Sequence, residues 1–464
     1  MGATCRSRSM LNHPYAARVA RPARLALATL ICAGALSAQE TSGALTIGGA
    51  ARAAAERSAL VQVGRERAAQ ADTRVRQRRA DLLPTISAIA SEGERTLNSA
   101  GFGLSIANPA TGQPLLDPNG QVLGPVRGYD LRASVRQALA DPAALARVAA
   151  ARASADVLDR ETDAIAQQAA AGAALAAVAA MRAEALLSAR ISDSALAVSL
   201  VELARAQSAA GTGIALDVTR AESQAALARA QVIAARNGLA RARMELARSM
   251  GLAATAPFAL TSLIGTGGTA APAPDTDGAV QVALARRADL RSVAAQIGAA
   301  ERQVRAVRAE RLPTVAAFAD DGAAGRSTNH LLNTWSWGIQ VGVPIFDGFR
   351  REARVAEQRS VTREIELRRR ELAAQAESDV RAAILDIGSA AEQLQAARER
   401  ERLATQEVAQ ARDRFTAGVS GNADVIVASQ NLNAARTFLI ESESALLAAR
   451  VLLARAQGTV TDLP

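Results

Sequence analysis

Few residues in this chain could do covalent or metal chemistry. It has two cysteines, Cys5 and Cys32, and two histidines, His13 and His330. A nucleophile needs an adjacent base, and a zinc site needs three or four nitrogen or sulfur ligands. Three of the four lie before residue 38, in a segment read below as an export signal, so one histidine remains for the mature chain. Cysteine–histidine catalysis and histidine-rich zinc sites are thereby excluded. The acid pair Asp320-Asp321 could share a proton if both carboxyls met, but its surroundings predict solvated residues of an exposed loop. No glycine-rich phosphate loop follows a strand. The expectation is no catalytic residue, no metal, no cofactor and no enzyme.

Composition points elsewhere. Of 464 residues, 49% are hydrophobic but only 2% are aromatic, and alanine dominates. Alanine-rich sequence laced with arginine and glutamate favours long helices packed at close range. The net charge is +9 with no lysine; the five arginines before residue 38 account for more than half of it and leave +4. No basic stripe or aromatic stacking platform accompanies the remainder, so nucleic acid is not an expected partner. Residues 1–38 read as a signal peptide, with basic residues, the apolar run LALATLICAGAL and a cut between Ala35 and Gln39. No later run approaches the roughly 18–20 apolar residues of a membrane helix.

The chain is written twice. Residues 49–90 align without gaps on 278–319, pairing Leu83-Pro84-Thr85 with Leu312-Pro313-Thr314. Residues 137–154 sit opposite 343–360, and 210–232 opposite 417–439, where Asp217-Val218 meets Asp424-Val425. The first repeat spans 39–255, a linker 256–278 and the second repeat 279–464. Each repeat reads helix, strand, loop, strand, very long helix, tight tip, helix. The incoming helices are expected near 49–82 and 279–311. The long helices are expected from about Asp141 to Ala210 and from about Asp347 to Ala417, with each aspartate capping its helix. Their apolar seam should include Val355, Leu367, Leu372, Val380, Ile384 and Leu394.

The strands carry a membrane pattern. In 334–345, Trp335, Trp337, Ile339, Val341, Val343 and Ile345 alternate with Ser336, Gly338, Gln340, Gly342 and Pro344. In 129–137, Tyr129, Leu131, Ala133 and Val135 alternate with Asp130, Arg132, Ser134 and Arg136. The reading puts Trp335, Trp337 and Tyr129 in a lipid-facing girdle and Arg132, Arg136 and Gln340 on the water-lined side. Asp117-Pro118-Asn119-Gly120 predicts a hairpin turn in the long loop of the first repeat. Four membrane strands cannot close alone, so several copies must share one barrel.

The Leu-Pro-Thr junctions, the Pro344-Ile345-Phe346-Asp347-Gly348 segment and the paired Gly…Asp-Val tips resemble the outer-membrane efflux protein family typified by TolC. The resemblance implies a homotrimer with a 12-stranded β-barrel, four strands per chain, continuing into a long periplasmic α-helical barrel. On that likeness Pro84, Pro313 and Pro344 mark the membrane boundary, in the cell outer membrane of a Gram-negative-type bacterium. It implies the exit duct of a tripartite efflux or type I secretion system, docked to a periplasmic adaptor (membrane fusion protein) and an inner-membrane transporter. Gly211, Gly213, Gly418 and Gly421 would form the docking tips, and Asp424, Phe415 and Asp217 would stand at the aperture. Asp424 would alternatively cap the returning helix. In well-known relatives a second acid lies three residues on; here that position is Val427, and Ser420 replaces an arginine. The same residues also admit a non-channel periplasmic scaffold or adaptor, although an adaptor should carry one helical hairpin flanked by β-domains rather than two strand-bearing units.

Overall fold

The structure is a computed structural model that describes residues 45–102, 109–111, 119–265 and 275–464. The expected signal peptide (1–38) lies outside the described residues, as do Asp117 and Pro118 of the expected hairpin turn.

The duplication appears directly in the elements. The first repeat runs α1 (Ile47–Arg57), α2 (Ala59–Ala80), β1 (Thr85–Asn98), β2 (Val122–Ala140), α3 (Pro142–Ala209) and α4 (Ala215–Ser249). The second runs α5 (Thr276–Arg286), α6 (Ala288–Ala309), β3 (Thr314–Gly325), β4 (Leu332–Gly342), α7 (Arg350–Thr416) and α8 (Asn422–Gln457). The starts of α1, α2 and β1 map onto those of α5, α6 and β3 at one constant spacing.

Each incoming helix, expected to be continuous, is broken. Ser58 leaves helical geometry (ψ 144°), and its hydroxyl accepts from the Val61 amide at 3.4 Å to cap α2. Arg287 breaks the second copy (ψ 124°) while its guanidinium turns to Asp289 and Asp379 at 2.8 and 2.9 Å. Burial raises the Asp289 pKa, but the hydrogen bond and charge of Arg287 together with backbone amides outweigh it and hold the carboxyl below the usual range.

Asp141 caps α3 as expected from its type, its carboxylate accepting from the Ala144 amide at 2.8 Å with Pro142 in the first turn. Asp347 does not cap α7. That helix starts two residues later than the paired segments imply, from Phe349 in the left-handed region (φ 64°). Asp347 instead accepts from Arg351 Nε at 2.7 Å.

At about 1.5 Å per residue, the 68 residues of α3 and 67 of α7 each span about 100 Å. Contrary to expectation, α3 is long and apolar enough by length and composition to cross a membrane. Its apolar middle is largely alanine. Ala170, Ala173, Ala174, Ala177 and Ala180 are fully buried in a cluster with α1, α4 and α8. Such short side chains let four helix backbones approach closely. Along α7, Val355, Val380 and Leu394 are buried in the expected seam, but Leu367 is 60% exposed.

The described start of the linker, 256–265, packs against the body. Leu45 brackets it with backbone hydrogen bonds to Ala259 and Thr261, and Phe258, Leu260 and Ile264 join the alanine cluster. Its last three expected residues, Thr276 to Gly278, begin α5.

The four strands form one antiparallel sheet in the order β1-β2-β3-β4. The flanking helices follow in the same sequence, with α2 against α3, α3 against α6 and α6 against α7.

Candidate channel surfaces: sheet faces, elbows and hairpin tips

Register decides which side chains share a face of the sheet. Trp337 lies opposite Ala319, which lies opposite Val135, which lies opposite Ile86. The next outward rung is Trp335, Asp321, Ala133 and Ala88. Ile339 and Val341 extend the ladder below, and Tyr129 reaches the same face above, opposite Gly325. One face is therefore predominantly apolar, with Trp335 and Trp337 68% and 71% exposed. Trp337 sits in the middle of that ladder rather than at its rim.

The other face is polar. It carries Arg136, Arg132 and Gln340 together, as alternation requires. Arg132 donates through Nη1 to Asp320 and through Nη2 to the Thr334 hydroxyl at 3.1 Å; Ser336 donates to the same Asp320. Ser87 and Ser134 hydrogen-bond across β1 and β2 at 2.7 Å. The face is crosslinked over all four strands by side chains. Phe318 lies among them because Gly338 opposite has no Cβ, which would fall 2.9 Å from the ring.

This corrects the reading of Asp320-Asp321. Both lie inside β3, not in a loop. Being consecutive, they point to opposite faces and cannot share a proton. The sequence hid this because β3 is mostly small residues with weak alternation. His330 does lie in the β3–β4 loop, 3.4 Å from the Ser327 hydroxyl.

Pro84 and Pro313 immediately precede β1 and β3, where a missing N–H costs no helix bond. Pro344 lies in the link between β4 and α7. Arg351, 7% exposed, gathers that elbow: it donates to Asp347, to the Glu310 carbonyl at 3.2 Å and to the Pro344 carbonyl at 3.4 Å. Sequence reasoning missed this residue, although its place four after an aspartate at a helix start signals an i,i+4 pair.

At the opposite end, Gly211 and Gly418 turn the two tips with φ of 74° and 73°. Gly213 lies within the first tip, packed so tightly that a Cβ would meet Gln207 at 3.0 Å. Gly421, not Asp424, is the N-cap of α8; Asp424 lies in the first turn, exposed, as Asp217 lies in the first turn of α4. Asp217 is largely covered and 3.9 Å from Arg220. Phe415 does not stand at an opening in this chain. It is 4% exposed in a cluster with Leu200 and Val425. Two residues absent from the sequence reading cross-brace the tips. Gln207 donates to the Phe415 carbonyl at 3.0 Å, and the fully buried Asn422 donates to the Asp217 carbonyl at 2.9 Å. Each satisfies a backbone oxygen of the other hairpin.

Higher up, Asp193 of α3 is 8% exposed and accepts from Arg436 of α8 at 2.9 Å and from Arg190 at 3.4 Å. Arg190 also reaches Thr437 at 2.9 Å. Asp193→Ala removes the buried acid shared by two largely covered guanidinia and is expected to cost about 2 kcal/mol. Chemical unfolding checks this, with Asp193→Asn losing less.

These features meet known proteins at two levels. Residues 279–459 match the family model described as outer membrane efflux protein. The second repeat is therefore similar to outer membrane efflux proteins. That family is one of channel proteins rather than enzymes. No curated protein matches the chain. Over 89% of its length the chain is similar in fold to solved channel proteins. It overlays CusC with a TM-score of 0.70 at 17% identity, covering 89% of this chain and 92% of that one. For VceC from Vibrio cholerae the values are 0.67, 18%, 89% and 96%. For the open state of the MtrE channel from Neisseria gonorrhoeae they are 0.67, 17%, 89% and 88%. The outer membrane efflux protein match covers the second repeat, and the fold likeness extends the same architecture over the first.

Proposed function

We propose that three copies of this chain close one barrel in the outer membrane and serve as the exit duct of a tripartite export system. The observation that carries this is the open four-stranded sheet, apolar on one face and crosslinked by polar groups on the other. Unpaired β1 and β4 edges are not tolerated in lipid, and pairing β4 with β1 of the next copy removes them. Trp335, Trp337 and Tyr129 then face lipid, and Arg132, Arg136 and Gln340 line the water-filled side. The long helices hang into the periplasm, where the tips meet a periplasmic adaptor joined to an inner-membrane transporter. The soluble scaffold reading leaves the exposed tryptophan ladder without a purpose.

At the tips, Asp424 is the exposed acid and forms a threefold ring that favours cations at the entrance. Wild-type protein in planar bilayers is expected to give stable conductance steps with a cation preference, blocked by hexamminecobalt from the helical side. Asp424→Ala is expected to weaken that block about tenfold or more, as loss of a charged ligand set implies. An unchanged block rejects the ring, and absence of any conductance by the wild type rejects the duct.

A further inference from the structure

Arginine is common in this chain and much of it lies unpaired on helix surfaces, but one groove gathers four such side chains. Between α6 and α7, a groove of about 480 Å³ is lined by Glu301, Val304, Arg305, Arg308, Arg359, Thr362 and Arg363. All four arginines are exposed. Among the described residues no ion pair reaches any of them, and Arg363 alone has a side-chain partner, the neighbouring Ser360 hydroxyl at 2.8 Å. Four cations thus face one acid across two helices.

The duplicate repeat serves as an internal control. At the same spacing the first repeat keeps the acid and the two helix-borne arginines, as Asp72, Arg76 and Arg79. In the repeat alignment the long helix carries Ala153 and Val157 where the second repeat has Arg359 and Arg363, both buried, and the helix pair still packs through Ala71, Val75 and Ala155. Arginine at 359 and 363 is therefore not required to pack this helix pair. Its presence concentrates charge at one place in the second repeat only.

We propose that this groove binds a soluble multivalent anion of the phosphate-ester or pyrophosphate type. Guanidinia suit such ligands because their planar forks each give two charge-assisted hydrogen bonds. Position decides between a free anion and a lipid headgroup. Arg308 and Arg305 stand five and eight residues before Pro313, about 8 and 12 Å below the start of the strand at helical rise. Arg359 stands nine residues into α7, about 13 Å below its start. The polar headgroup layer is only about 5–7 Å thick. The centre of the groove lies beyond it, in water. The groove is complete on one chain, and only the choice of a free anion over a headgroup rests on the proposed membrane placement.

The test is isothermal titration of the full-length, detergent-solubilised protein with inorganic pyrophosphate at fixed ionic strength. Saturable binding of one ion per chain is expected. Arg359→Ala with Arg363→Ala should weaken it about tenfold or more, the size of losing two charged forks. Arg305→Gln, on the other helix, should weaken it independently. Arg76→Ala with Arg79→Ala, in the first repeat, should not. Absence of saturable binding overturns the proposal, as does equal weakening by the first-repeat pair, which would reveal only a general charge effect. In mixed micelles containing phosphatidylglycerol, lipid association should ignore Arg359 and Arg363. If those substitutions remove lipid and leave pyrophosphate binding intact, the occupant is a headgroup and the proposal is wrong.

Discussion

Arg351→Ala is expected to lower stability by about 3 kcal/mol per chain and to prevent the barrel end from assembling at growth temperature. The side chain is 9% exposed and its partner Asp347 15%. Removing the guanidinium leaves a covered carboxylate without its cation. It also strands the carbonyls of Glu310, at the end of α6, and Pro344, in the link from β4. One side chain ties the helix that enters β3 to the helix that leaves β4. Arg351→Lys is expected to recover only part of the loss, because an ammonium can pair with Asp347 but cannot fork to two carbonyls as well. Thermal unfolding of the detergent-extracted protein reads the difference. A melting point equal to wild type for Arg351→Ala would show that the elbow is held by the backbone alone.

The second large effect separates the two faces of the sheet. Trp337→Arg places a charge in the middle of the apolar ladder, where a lipid-facing arginine costs about 2–4 kcal/mol. In the proposed three-copy barrel that becomes roughly 6–12 kcal/mol per assembly. Gln340→Arg, three residues along the same strand, points to the face that already carries Arg132 and Arg136 and is expected to be nearly neutral for insertion. Insertion into lipid vesicles, read as protease-resistant barrel, compares the pair. Equal yields, or a worse result for Gln340→Arg, would mean that the faces are assigned the wrong way round or that neither meets lipid.

How much of this was legible depended on whether the signal was local. The duplication, the long helices and the two tips are written in consecutive residues: Asp141-Pro142 starts a helix by type alone, and Gly211 and Gly418 turn because they adopt positive φ. The strand faces were readable where large residues alternate, as in β4. They were not readable in β3, where alanine dominates and the opposed orientation of Asp320 and Asp321 follows only from pairing with β2 and β4. Helix starts set by tertiary contacts were also hidden. Asp347 looks like a cap until Arg351 claims it and a left-handed Phe349 opens the helix instead. Phe415 stands three before the tip glycine whatever its environment, yet its burial depends on Leu200 from the other hairpin. Asn422 and Gln207 act on backbone oxygens some 200 residues away, a distance no local pattern spans.

The central claim is that open edges β1 and β4 are closed by other copies in a membrane. Single-particle imaging of protein extracted by detergent from outer-membrane fractions tests it most directly. The account predicts a threefold particle with a detergent-covered barrel at one end and a helical tube about 100 Å long. A monomer released without detergent, with the tryptophan face of its sheet in water, would contradict it.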